Sequence, residues 1–264
     1  MSSFSAEWLA LREPADAAAR AAALLAPLRL PRDRTLTIVD LATGTGANLR
    51  WLAPRLRGKQ RWVVVDHETA LLDTLSARPA PAGVELEPIA LDLARELAAV
   101  PCSGADLVTA SALLDLVSAD WLLRLAERCV ADRTAVLFAL TYDGRIAWEP
   151  REDRDERVRD LVNLHQRRDK GFGPALGPAA AETAASAFRA FGYELLTAAS
   201  DWNLGPESGA LQQALVEGWC AAASEIAPNE RDALEAWRRR RGEWIERGQS
   251  RLVVGHVDIA GRIG

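Results

Sequence analysis

The chain has 264 residues, 49% of them hydrophobic and 26% charged, proportions that suit one soluble domain with a sizeable core. Its formal net charge of −5 gives no electrostatic footprint for nucleic acid or for an anionic membrane. The cysteines, Cys102, Cys129 and Cys220, read as reduced structural thiols, and no cysteine or acidic pair has metal-ligand spacing, so no metal is expected. No signal-peptide pattern and no membrane-length apolar run is present, which makes the cytoplasm the expected compartment.

In chain order, residues 4–28 form an alanine-rich helical segment with an expected break at Pro14. Residues 36–39 are an apolar run short enough for a buried strand, closed by the acid Asp40. Ala42-Thr43-Gly44-Thr45-Gly46 makes a small-residue turn. Leu49, Leu52, Ala53 and Leu56 then recur on one helical face, with Pro54 expected to kink or shorten the helix. Residues 61–66 repeat the pattern of strand and then acid, ending at Asp66, and a helix covers 68–77. A weaker strand at 84–90 leads to Asp92, Leu93 and a short helix at 94–100. Residues 105–110 are a fourth strand, 119–130 a helix, and 134–141 a fifth strand, apolar throughout as a doubly covered parallel strand should be. Alternating strands and helices imply right-handed crossovers and a parallel sheet.

Beyond Tyr142 the rhythm changes. The charge-dense stretch 150–170 keeps Val158, Leu161, Val162 and His165 on one helical face. A glycine–proline loop over 171–178 reads as a lid, and Gly192 closes a helix at 180–191. A sixth strand at 193–200, helices at 208–226 and 229–247, and a last strand at 251–259 complete the chain. Arg238 to Arg241, interleaved with Glu235, Glu243 and Glu246, reads as a solvated helix face.

The glycine turn separates two cofactor classes. A dinucleotide fingerprint places a third small residue where Leu49 stands. The pattern acid-x-G-x-G-x-G is instead met from Asp40 to Gly46, with Ala42 in the first glycine place, and here the chain resembles the class I S-adenosylmethionine-dependent methyltransferases. The layout resembles that family over nearly its whole length. The resemblance implies an α/β three-layer sandwich on a seven-stranded, mostly parallel sheet, its last strand antiparallel between the fifth and sixth. It is read as one domain, 1–264, with helical cap pieces at 1–30, 142–178 and 203–248.

S-adenosylmethionine is the implied cofactor, with Asp40, Ala42, Thr43, Gly44, Gly46, Asn48, Asp66, His67, Asp92, Leu93 and Ser111 as its candidate ligands. Asp66, about twenty residues past the turn, suits two ribose hydroxyls, a role equally useful for NAD. Asp92 serves either the adenine or the N-cap of the next helix. The family's (Asp/Asn)-Pro-Pro-(Tyr/Phe) motif is absent after the fourth strand, which with the acidic balance points to a small-molecule methyl acceptor rather than nucleic acid or membrane. His165 and Asp115 are the catalytic candidates, since histidine, with a reference pKa of about 6.5, is the natural base near neutral pH. Each also has a plain reading, His165 as a half-buried histidine and Asp115 as a helix cap. Lys170, Trp148, Trp202, Phe172 and Arg12 are the acceptor-side candidates, and Arg12 and Arg20 are equal candidates for the methionine carboxylate. A monomer or homodimer is expected. Two rival readings stand beside this one: an adenosylmethionine-binding sensor or scaffold without turnover, and an NAD(P)-dependent oxidoreductase.

Overall fold

The computed structural model describes residues 5–264. Phe4, where the first helical segment was expected to begin, lies outside the described residues. Eight strands among the described residues form one sheet: β1 (Leu36–Leu41), β2 (Gln60–Asp66), β3 (Val84–Ala90), β4 (Leu107–Ser111), β5 (Ala135–Glu149), β6 (Tyr193–Ala199), a short β7 (Trp202–Leu204) and β8 (Arg251–Ile263). Their order is β3-β2-β1-β4-β5-β8-β6, with β7 attached to β8. The first five strands pair in parallel, while β8 runs antiparallel to both β5 and β6.

The strand sequences explain the layers, because successive side chains face opposite ways. Val39 and Leu41, Val63 and Val65, Val108 and Ala110, and Val136 and Phe138 share one core with the helices α4 (Leu93–Glu96), α5 (Ala119–Ala131) and α7 (Ala180–Ala190). Their strand neighbours Ile38, Trp62, Val64, Leu107 and Leu137 share the other core with α2 (Ala47–Leu52) and α3 (Thr69–Ser76). A third core lies under the cap, where the far end of β5 meets α6 (Asp155–Gln166), α8 (Gly209–Ile226) and α9 (Arg231–Glu246). Cys102, Cys129 and Cys220 are buried free thiols. Among the described residues no helix is long and apolar enough to cross a membrane.

Several sequence boundaries move. The expected break at Pro14 does not occur: α1 (Ala6–Ala19) runs through it, capped by Ser5, whose hydroxyl accepts the Trp8 N–H. The carbonyl that loses its helical donor belongs to exposed Ala10, where water can take its place. The chain after α1 forms two 3-10 turns, Ala22–Leu24 and Ala26–Leu28, in place of further α-helix. Pro54 ends α2 as expected, in a 3-10 turn at Ala53–Arg55. The fifth strand continues to Glu149, so residues 142–149, read as cap, are β-structure. β5 and β8 leave the sheet together as an antiparallel ribbon, with register shifts between Phe138 and Thr141 and between Tyr142 and Ile146. Leu140 at the first shift has φ 54°, and its N–H donates to Asp258 Oδ1 at 2.8 Å. The other oxygen of Asp258 accepts the Ala21 N–H at 2.9 Å, which ties the segment after α1 to the last strand.

Arg241 also departs from the expected solvated face. It is fully buried and ion-paired with Asp155, and its Nη1 donates to the Pro150 carbonyl at 2.6 Å. Asp155 also accepts the Trp237 Nε1–H at 2.9 Å and the Glu152 N–H at 2.7 Å, so the start of α6 is fastened to α9 by polar groups inside the cap.

Candidate functional site

The site is built at the C-terminal ends of the parallel strands, where ligands bind in open α/β sheets. β1 ends in Asp40, fully buried, whose Oδ2 accepts the Thr43 hydroxyl at 2.7 Å and whose Oδ1 accepts Asn48 Nδ2 at 2.6 Å. Burial pushes its carboxyl up to about 6, against the pull of these two donors. The turn above it needs left-handed backbone at Ala42, Gly44 and Gly46, with φ of 51°, 56° and 84°. A Cβ on Gly46 would come within 2.9 Å of Leu75 Cδ1, so both the backbone and the packing ask for glycine there. β2 ends in Asp66. Its Oδ2 accepts the Gly44 N–H at 2.8 Å and its Oδ1 accepts the Glu68 N–H at 3.0 Å, which locks the two strand ends together.

A cavity opens over this edge. The structure brings Arg12, Ala42, Thr43, Gly44, Asn48, Asp66, His67, Leu93, Ser111, Lys170 and Phe172 to its wall. Asp40 lies beneath it and acts through Thr43 and Asn48. Gly46 shapes the turn without lining the cavity. Asp92 caps α4, its Oδ1 accepting the Ala94 N–H at 3.0 Å, beside Leu93 on the wall. Sequence reasoning missed the rest of the lining, Leu9, Asp16, Leu71 and Leu116 among it. The Arg12 and Asp16 spacing of four residues on α1 was a readable ion-pair signal, and the structure forms that pair at 2.9 Å. For Leu71 and Leu116 the sequence carries no local sign.

Four further candidates are not brought to the wall. Trp148 is buried in the cap core, edge-on to Trp219 and Trp237 at 5.5 and 5.7 Å, because the β5 extension carries it away. Trp202 is buried behind α1, where its Nε1–H donates to Asp16 at 3.1 Å and its ring lies 4.9 Å from the Arg12 guanidinium. Asp115 is buried, its Oδ1 has no partner among the described residues, and burial pushes its carboxyl up to about 6. His165 stands one layer back, its Nδ1 3.2 Å from the Lys170 amine and its Nε2 3.2 Å from Glu225.

The glycine–proline loop is tied down along its length. Asp169 Oδ1 accepts the N–H groups of Gly171 and Gly173 at 2.7 and 3.1 Å. The Leu176 and Gly177 N–H groups donate to the Val117 and Asp115 carbonyls at 2.8 and 2.9 Å. Phe172 packs edge-on against Trp121 at 5.5 Å, so the loop forms a fixed wall through Lys170 and Phe172.

A second cleft shares Asp16, Ala47, Asn48 and Ser111 with the cavity and is lined also by Arg20 and Arg55. Arg20 is buried, stacked 4.2 Å over Trp51, with Nη1 donating to Asn48 Oδ1 at 2.7 Å. Its Nε and Nη2 have no partner among the described residues. Among the described residues no group of three or more His, Cys, Asp or Glu side chains is placed to hold a metal ion.

Residues 38–132 match a family described as methyltransferase domain. No curated protein matches the chain in sequence. Among solved structures, a cyclopropane-fatty-acyl-phospholipid synthase-like protein from Lactobacillus casei is 12% identical with a TM-score of 0.57, covering 98% of this chain and 93% of that one. The cyclopropane synthase MmaA2 from Mycobacterium tuberculosis is also 12% identical, with a TM-score of 0.49, covering 90% and 83%. The phosphoethanolamine N-methyltransferase 2 of Haemonchus contortus, in complex with S-adenosyl-L-methionine, is 14% identical with a TM-score of 0.44, and this chain covers 51% of it and is itself covered over 91%.

Proposed function

We propose that the chain is a class I S-adenosylmethionine-dependent methyltransferase, a reading supported by the match of residues 38–132 to a methyltransferase-domain family, and that it methylates a small-molecule acceptor held between α1 and the Lys170 loop. S-adenosylmethionine, when bound, supplies an electrophilic methyl group on a sulfonium. The residues present fit it. Asp66 offers its carboxylate to the ribose hydroxyls, Leu93 with Asp92 beside it stands at the adenine end, and Ala42–Thr45 with Ser111 flank the methionyl part. Of the two arginine candidates, Arg20 takes the methionyl carboxylate: Arg12 is committed to Asp16, whereas Arg20 keeps two buried nitrogens without a partner among the described residues. A guanidinium in that condition is matched by a planar carboxylate.

Methyl transfer from a sulfonium is an in-line displacement in which charge disappears, so positioning and exclusion of water are the protein's main tasks. Leu9, Leu71, Leu116 and Phe172 supply the dry wall, and Arg12, His67 and Lys170 supply a few oriented polar groups, the balance expected of a small-molecule site. The cap made by α1, the stretch from α6 to the Lys170 loop, and α8 with α9 belongs to the same domain and encloses the acceptor.

The observation that carries this reading is Asp66, which lines the cavity while its carboxylate holds the glycine turn in register. Calorimetry with adenosylhomocysteine tests it. Asp66→Ala is expected to lose at least roughly tenfold in affinity, as removal of charge-assisted hydrogen bonds implies, and equal affinity overturns the assignment. Adenosylhomocysteine release is then followed against soluble metabolites and against lipid vesicles. Turnover on vesicles alone overturns the small-molecule acceptor.

A further inference from the structure

Lys170, His165 and Glu225 come from three separate places: the loop after α6, the last turn of α6, and the last turn of α8. Lys170 lines the cavity. Its Nζ is 3.2 Å from His165 Nδ1, and His165 Nε2 is 3.2 Å from Glu225 Oε2, whose side chain is 60% exposed. The three therefore form an unbroken line of exchangeable groups from the enclosed site to solvent.

We propose that this line is the proton exit of the methyltransferase, with Lys170 as the group that meets the acceptor and His165 and Glu225 as positioning and relay residues behind it. The proposal rests on the site being the acceptor site argued above. An O–H or N–H acceptor releases one proton for each methyl group gained, and a water-excluding cavity must pass it on. The acceptor's X–H bond breaks and its electron pair stays on X for the new bond to carbon, while the sulfonium C–S pair returns to sulfur. The proton goes to neutral Lys170 Nζ, then to His165 Nδ1. The ring gives up its Nε2 proton to Glu225, which sheds it to water. Exchange at the solvent-touching edge of the imidazole restores its starting tautomer.

The electrostatics agree with the geometry. Burial lowers the Lys170 pKa, with Arg168 lowering it further while Glu225 and Asp115 oppose. Burial and the Lys170 charge lower His165, with Glu225 opposing and Arg168 assisting. Arg168 also donates to Glu225 at 2.9 Å, which fixes the carboxylate under the imidazole. Both shifts are toward the neutral, proton-accepting forms.

The composition makes this unusually direct to measure, since Lys59 and Lys170 are the only lysines and His67, His165 and His256 the only histidines. Protein labelled with carbon-13 at lysine Cε and nitrogen-15 in histidine is titrated by NMR, with and without adenosylhomocysteine. Lys170→Met and His165→Gln assign the signals. His165 is expected to carry its proton on Nε2 near pH 7.5. Glu225→Gln is expected to lower the titration points of both Lys170 and His165 by roughly half a unit or more, and Lys170→Met to raise that of His165. Glu225→Asp is expected to restore the wild-type pattern. A proton fixed on Nδ1, or Lys170 and His165 titrating independently, overturns the relay. Calorimetry of adenosylhomocysteine on the same samples reports separately on the cofactor reading.

Discussion

Arg20 and Asn48 meet through a 2.7 Å hydrogen bond 28 residues apart, and the bond leaves the other two guanidinium nitrogens of Arg20 buried without a partner among the described residues. Asn48 in turn holds Asp40, so the cation is wired into the glycine turn. Arg20→Met is expected to weaken adenosylhomocysteine binding about 10–100-fold, the range of a charge-assisted pair. The melting temperature of the free protein is expected to change little, because a buried and incompletely paired charge leaves with the side chain. Calorimetry and a thermal melt on one preparation check both. Full retention of affinity assigns the carboxylate elsewhere.

Ala42 stands where a glycine would be freer. Its φ of 51° places an L-residue in the left-handed region, at a cost of roughly 1–2 kcal/mol. Ala42→Gly relieves that strain, less the entropy of a freer unfolded chain. A rise in melting temperature of about 2–4 °C is expected. A fall would mean that the methyl group packs more strongly than the backbone strains.

His256 gives the pH dependence a sign. It is buried beside Trp202, its ring centroid 4.9 Å away, with Nδ1 unpartnered among the described residues, and burial lowers its pKa to about 3. The folded state therefore resists protonation that the unfolded chain accepts near 6.5. The stability held through His256 is complete above about pH 6.5 and drains away as pH falls toward 3. His256→Phe removes this loss. The variant is expected to gain on wild type by about 2 kcal/mol between pH 7.5 and pH 4.5 in urea titrations. Parallel curves for the two proteins would remove His256 as the cause.

The buried pair of Arg241 and Asp155 joins α9 to α6, and removing one partner leaves an uncompensated charge in the cap. Arg241→Met is expected to destabilise the protein by about 3–5 kcal/mol, read as a shift of the urea midpoint. Arg241→Met combined with Asp155→Leu is expected to recover part of that loss. A loss under 1 kcal/mol for the single variant would show that the Trp237 and Glu152 donors to Asp155 suffice alone.

The parts of the site that the sequence disclosed are those made by short stretches of chain. Asp40 to Gly46, Asp66, and Asp92 with Leu93 each follow a strand end within a few residues, so strand periodicity fixes their place. The same logic located Ser111 at the end of β4. The remaining wall comes from tertiary packing. Leu9, Arg12 and Asp16 reach the cavity because α1 folds back across the sheet edge, anchored by Trp202. Glu225 reaches His165 only once α8 lies along α6. Trp148 looked close to the site because the fifth strand was read to stop at Thr141. The ribbon with β8 extends that strand by eight residues and carries the indole into a different core.

Asp258 fastens the segment after α1 and the β5 bulge at once, and it lies 237 residues downstream of Ala21. During synthesis α1 leaves the ribosome well before the side chain that secures the segment after it. This wall of the cavity is thus made long before it is fixed. A nascent chain halted before β8 would carry a formed glycine turn with nothing to hold its cover in place.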